Sequence, residues 1–267
     1  MANKNCLNCN KELTDKYCAG CGQKADTHRI TFKRFIFHDV LHGTFHVEKG
    51  MLYTAKQAIL RPGKAAIDYI SGKRQPFYNV FYLNLIIIGL ILFLRHYYVE
   101  IPTDSSDEIP QNREYINEAS KSMDEIFSHK SKLIIFLFVP FAALNSFLLF
   151  KRKKFNLSEH SIIAGMILLG MLLTSVFGNL FFYLSIFYPF SSAFADFISY
   201  FITTLIILQI GYGYINAFGS DYSKLGVSYR VLLFYVLLCI EIVILFLIVF
   251  GFVSDWKFGK LNFSPFG

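Results

Sequence analysis

Residues 231–253 read VLLFYVLLCIEIVILFLIVFGFV, and this stretch decides the fold. Its 23 residues carry a single charged side chain, Glu241. A helix needs about 20 mostly apolar residues to cross a hydrocarbon core about 30 Å thick. The stretch therefore reads as a transmembrane helix with one carboxylate near mid-depth. Four more apolar runs lie upstream, at 78–98, 133–150, 161–187 and 194–215. YPFSS around Pro189 turns the third run into the fourth, and Pro140 interrupts the second, freeing the carbonyl of Phe136. The expected fold is an all-α polytopic membrane protein of about five spans over 78–253, followed by a tail at 254–267.

The composition agrees. The chain of 267 residues is 54% hydrophobic and 18% aromatic, and 17% charged. Soluble domains carry about 25% charge. Thirty phenylalanines exceed what a soluble core of this size uses. The polar start MANKNCLNCN holds no apolar signal-peptide core, so the first apolar run is expected to direct insertion.

Orientation follows from the basic residues. Residues 1–78 hold 13 of the 26 Lys and Arg, against 6 Asp and Glu. Residues 99–131 reverse the balance, with 8 acids against 3 bases. The next loop opens with Lys151, Arg152, Lys153 and Lys154. This alternation agrees with a cytoplasmic N-terminus; the C-terminus would then lie outside, where Lys257 and Lys260 dissent.

Four of the five cysteines lie in CLNCNKELTDKYCAGCGQK, residues 6–24. Cys6-x2-Cys9 and Cys18-x2-Cys21 are two knuckles able to set four thiolates around Zn²⁺ at about 2.3 Å. Asn10 and Gly22 follow the knuckles, where the turn demands positive φ. A reducing cytoplasm disfavours disulfides. Residues 1–26 are thus expected to form a structural zinc ribbon, stapled because so short a segment buries too little core. Four ligands leave no open coordination position for catalysis. Lys11, Lys16 and Lys24, set against Glu12 and Asp15, are too few for a nucleic-acid footprint. The ribbon reads instead as a docking module for a protein partner, and oligomerisation stays open.

Residues 27–77 read as amphipathic helices on the inner leaflet. Phe32, Phe35, Ile36 and Val40 make one apolar stripe; Met51, Leu52, Ala55, Ile59 and Leu60 make another. Pro62 suits the first turn of a short helix and Gly72 its C′ position. Arg61, Lys64, Lys73 and Arg74 would meet anionic lipid headgroups, each contributing about 1 kcal/mol. His38, His42 and His46, spaced by four, could share a second metal, or simply suit an interfacial surface with no metal.

The CxNC…YCxxCGQK ribbon, RPGKAAIDYISGKRQPFYN at 61–79 and SEH at 158–160 together resemble a bacterial membrane family. That family is a domain of unknown function common in Bacteroidota, with an N-terminal zinc ribbon and several spans. The resemblance implies the architecture and no activity. Members similar to this chain often carry an acidic residue where it reads FHVEKG, so it implies no role for His46.

Inside the spans, Glu241 is costly when ionised, by roughly 2.5–3.5 kcal/mol on insertion scales. It reads either as part of a proton or cation path or as a neutral group bonding a neighbouring helix. Thr174 and Ser175 lie at similar depth. Gly170, Thr174 and Gly178 form a small-residue ridge for helix packing. Asn79, Asn84, Asn145, Asn179 and Asp196 lie mostly nearer the span ends. No P-loop, GxSxG, HExxH, paired-carboxylate or inverted-repeat pattern occurs. The leading expectation is a non-enzymatic adaptor or scaffold. A small transporter or channel using Glu241 and a lipid-modifying membrane enzyme are the alternatives.

Overall fold

A computed structural model describes residues 5–25, 49–100, 135–184, 187–188, 190–253 and 256. Among the described residues there are seven helices: α1 (Lys49–Leu60), α2 (Pro62–Ile70), α3 (Val80–Glu100), α4 (Ile135–Leu149), α5 (Leu157–Tyr183), α6 (Ser192–Phe218) and α7 (Lys224–Val253). Three of them, α5, α6 and α7, are long and apolar enough to cross a membrane. The described apolar parts of α3 and α4 are shorter. The histidine triplet His38, His42 and His46 and the Phe32–Val40 stripe lie outside the described residues.

Local chemistry sets the helix ends. Asn156 caps α5 through its Oδ1, which accepts from Glu159 N at 2.9 Å, while Glu159 Oε2 accepts from Asn156 N at 2.8 Å. This reciprocal box satisfies two orphan donors. It starts α5 four residues ahead of the apolar run, because Ser158, Glu159 and His160 are buried despite their polarity. At α2, Pro62 occupies the first turn and Gly72 closes the helix with φ +105°. Lys73 N donates to Asp68 O and Gly72 N to Tyr69 O, the paired bonds of a Schellman ending.

The hub is α5, buried on nearly every side from Ser158 to Gly170. Asn84 Nδ2 donates to Gly165 O at 3.0 Å near the start of α3, and the Tyr183 hydroxyl meets Leu94 O near its end. The helices α3 and α5 therefore run parallel. Thr174 meets Gln209, and Gly178 faces Ile202, so α6 returns antiparallel. Tyr235 ties α7 to α6 by accepting from Gly211 N at 2.8 Å. Tyr214 reaches α4 through a bond to Ala142 O at 3.2 Å. By contrast, α6 and α7 present Phe197, Tyr200, Leu208, Leu232 and Ile242 outward, the surface a lipid solvent accepts.

The helices α1 and α2 differ from the expected surface helices. They form a hairpin around Arg61 whose small residues pack into the bundle, α1 on α5 and α2 on both α5 and α6. Of the expected stripe of α1, Met51 packs against the core but the two leucines do not. Leu52 and Leu60 stand 82% and 57% exposed, while Thr54 and Ala58 are fully buried. The reason is steric. A Cβ at Gly170 would run into the Ala58 carbonyl, and one at Gly63 into the backbone of Gly213 and Ala217. Such close backbone approach admits Ala, Gly and Thr and turns leucines away.

Candidate metal centre and its seat on the bundle

The ribbon is built twice, at an offset of twelve residues. Asn10 N donates to Cys6 O at 2.9 Å, and Gly22 N to Cys18 O at 2.8 Å. Cys6 N donates to Lys11 O and Cys18 N to Gln23 O, both at 2.8 Å. Isolated bridges pair Asn5 with Glu12 and Tyr17 with Lys24. Asn10 (φ 61°) and Gly22 (φ 74°) take the left-handed conformation that lets each knuckle fold back.

The two knuckles bring Cys6, Cys9, Cys18 and Cys21 together, with all four Sγ atoms within 4.8 Å of one another. Cys6 Sγ lies 3.6 Å from Cys21 Sγ, and Cys9 Sγ lies 3.4 Å from Cys18 Sγ. Both gaps far exceed a disulfide bond of about 2.05 Å. They approach the S···S spacing of about 3.8 Å that four bonds of about 2.3 Å around one tetrahedral ion require. The donor set therefore fits a metal ion. A hydrogen bond from the Asn8 side chain, assisted by the Gln23 backbone, holds the Cys21 thiol down at about 6. The Gly20 backbone N–H lowers the Cys18 thiol as well. The Cys21 and Cys18 thiols are thus drawn toward the thiolate, the metal-ligating form, whereas the contact with Cys18 and burial push the Cys9 thiol up to about 12.

Sequence reasoning missed how the ribbon is seated. Gln23 is 5% exposed, and both ends of its amide are engaged. Its Nε2 donates to Gly72 O at 2.7 Å, and its Oε1 accepts from Arg74 N at 3.1 Å and Gln75 N at 3.2 Å. Leu7, between the first two cysteines, packs on the bare face of Gly72, where a Cβ would lie 2.5 Å from Leu7 Cδ1. Both knuckles thus bear on the loop joining α2 to α3. The signal was present in sequence as CGQK and ISGKRQP, but nothing in either stretch names the other.

From this loop an ionic chain climbs the hairpin. Lys73 Nζ lies 3.0 Å from Asp68 Oδ1, and Asp68 Oδ2 lies 3.5 Å from Arg61 Nη1. Arg61 Nε also donates to Gln57 Oε1. Arg74 covers the Tyr69 ring at 5.4 Å. Of the four expected headgroup contacts, Arg61, Lys73 and Arg74 are thus engaged within the protein, and the Lys64 side chain is exposed.

The polar residues expected inside the spans form separate pairs. Glu241 Oε2 accepts from Asn145 Nδ2 of α4 at 2.8 Å. The Thr174 hydroxyl sits 3.0 Å from both Gly170 O and Gln209 Oε1. Ser175 accepts from Asn179 along its own helix. The structure brings neither Thr174 nor Ser175 to Glu241 by a hydrogen bond. Gly170 faces α1, and a Cβ at Gly178 would lie 3.1 Å from Ile202 Cγ2 of α6. A further polar pair joins Ser146 Oγ to His160 Nδ1 at 2.8 Å, beneath the Phe218 ring. Compared with protein-family models, curated proteins and solved structures, the chain matches none.

Proposed function

We propose that the chain is a non-enzymatic adaptor of the bacterial inner membrane, with spans α3 to α7 and a cytoplasmic ribbon stapled by structural Zn²⁺. It belongs, on this reading, to the zinc-ribbon membrane family that its motifs resemble. Four thiolates in a closed tetrahedral set are the chemistry of structural zinc rather than of a catalytic ion. The positive-inside reading gains support from the bundle. The ribbon's seat precedes the start of α3, which lies at the same end as the start of α5 and the preceding Lys151–Lys154 cluster. Two basic segments distant in sequence thus share one end.

The α1–α2 hairpin is re-entrant in this reading. Ala58 meets α5 midway along its 27 residues. At 1.5 Å per residue that contact lies about 20 Å above the first turn of α5, deep within a hydrocarbon core of about 30 Å. Non-spanning backbone at such depth is tolerated where protein surrounds it. Asp68 draws the Arg61 guanidinium back toward the ribbon end, and Lys64, Lys73 and Arg74 suit the anionic headgroups there.

The observation that carries the adaptor reading is the Gln23 seat. A ribbon held by three hydrogen bonds presents one fixed face to the cytoplasm, where the Tyr17 ring stands 60% exposed. Exposed aromatic anchors are typical of protein docking sites. The bond from Asn145 to Glu241 favours helix pairing over an ion path. A photo-crosslinker placed at position 17 in cells should yield a discrete cytoplasmic adduct that disappears when Cys6 and Cys21 are both changed to Ser. Absence of any adduct, or an adduct indifferent to those changes, would overturn the adaptor role.

A further inference from the structure

The residues that seat the ribbon on the bundle lie among those that could ligate the metal. Leu7 lies between Cys6 and Cys9, and Gln23 lies two residues beyond Cys21. Gln23 also closes the second knuckle, its carbonyl accepting from Cys18 N at 2.8 Å. About twenty residues without a sufficient core hold such a shape only when the metal does so. Loss of the ion would therefore remove Leu7 from Gly72 and the Gln23 amide from the 72–75 loop together.

That loop is not an inert linker. Gly72 ends α2 at φ +105°, and Lys73 starts the ionic chain through Asp68 to Arg61 at the hairpin tip. The tip is the place where Gly63 meets the backbone of α6 and Pro62 lies beside Gly213. A continuous line of contacts thus joins the cysteine cluster to the middle of the bundle. Gln23 Oε1 supplies the acceptor for two backbone donors of the loop, Arg74 N and Gln75 N. Arg74 N also donates to Gly72 O at 2.9 Å, so Gln75 N is the donor that turns to water without Gln23.

We propose that the ribbon is a metal-dependent latch, in which occupancy of the four-cysteine site fixes the α2–α3 loop and through it the seating of the re-entrant hairpin. This rests on the metal reading above and adds its regulation. The differential contact needed for such a switch is the whole Gln23–Leu7 seat, present with the folded ribbon and absent without it.

Hydrogen exchange on the full-length protein in detergent micelles tests it, with metal content measured in parallel. Chelation under reducing conditions should speed exchange of the Gln75 amide by about tenfold or more, and added Zn²⁺ should restore protection. Gln23→Ala should keep its metal yet exchange at the Gln75 amide like the chelated protein. A peptide from the centre of α5 should not change in either case. Equal protection of the Gln75 amide before and after verified metal removal would overturn the latch while leaving the metal site standing. A protein that neither contains nor takes up metal would overturn both.

Discussion

The carbonyl of Ala58 occupies the space that a Cβ on Gly170 would need. This contact locks the hairpin to the central helix, and Gly63 repeats it against Gly213 and Ala217. Gly170→Leu and Gly63→Leu should each destabilise the protein by about 2 kcal/mol or more, because backbone has to move on both sides. Gly89 is the internal control, since a Cβ there would meet nothing within 4 Å. Gly89→Ala should be neutral or slightly stabilising. Thermal aggregation midpoints in detergent check the contrast, and equal loss at all three positions would contradict the packing.

At Gly72, two demands coincide, a positive φ and the contact with Leu7. Gly72→Ala should cost about 1–3 kcal/mol, combining backbone strain with the clash. Combining it with Leu7→Ala should recover the steric part and leave the strain. The readout is a double-mutant cycle on the same midpoints, expected to be clearly non-additive.

Gly63 and Gly72 mark the limit of what the sequence makes legible. Long apolar runs announce themselves, and α5, α6 and α7 lie where such runs are found. The starts of α5 and α7 do not, because helix begins at Leu157 and Lys224 on polar residues that caps, burial and aromatic stacking accommodate. The hairpin was legible as two short helices broken at Pro62, and Gly72 as the end of the second. Its depth was not, since Ala58, Gly63, Ala65 and Ala66 are too small to make a strong apolar face. Only their nearness to Gly170 and Gly213 reveals where they pack. The four cysteines were legible from spacing alone. Gln23 was not, because one amide in CGQK gives no hint that its partners lie 49 to 52 residues away.

Asn145 and Glu241 should behave as a helix pair. Asn145→Leu strands the Glu241 carboxyl and should cost about 1 kcal/mol, whereas Glu241→Gln, which keeps an acceptor for Asn145, should cost less. Proteoliposomes should show no cation or proton flux that depends on Glu241. A flux abolished by Glu241→Gln with folding intact would replace the pairing role with a transport role.

The Asn156–Glu159 box predicts a further local effect. Asn156→Ala should destabilise by about 1 kcal/mol, and Asn156→Asp should retain most of the stability. Chemical denaturation in mixed micelles distinguishes the two, and equal losses would show that the side-chain cap contributes nothing.

The central claim, a metal-stapled ribbon fixed on a helical membrane bundle, meets its most direct test in elemental analysis of the intact, reduced protein. The expected result is about one zinc per chain, lost when Cys6 and Cys21 are both changed to Ser while the helical content stays. A folded protein carrying no stoichiometric metal, or carrying the same zinc without those cysteines, would contradict it.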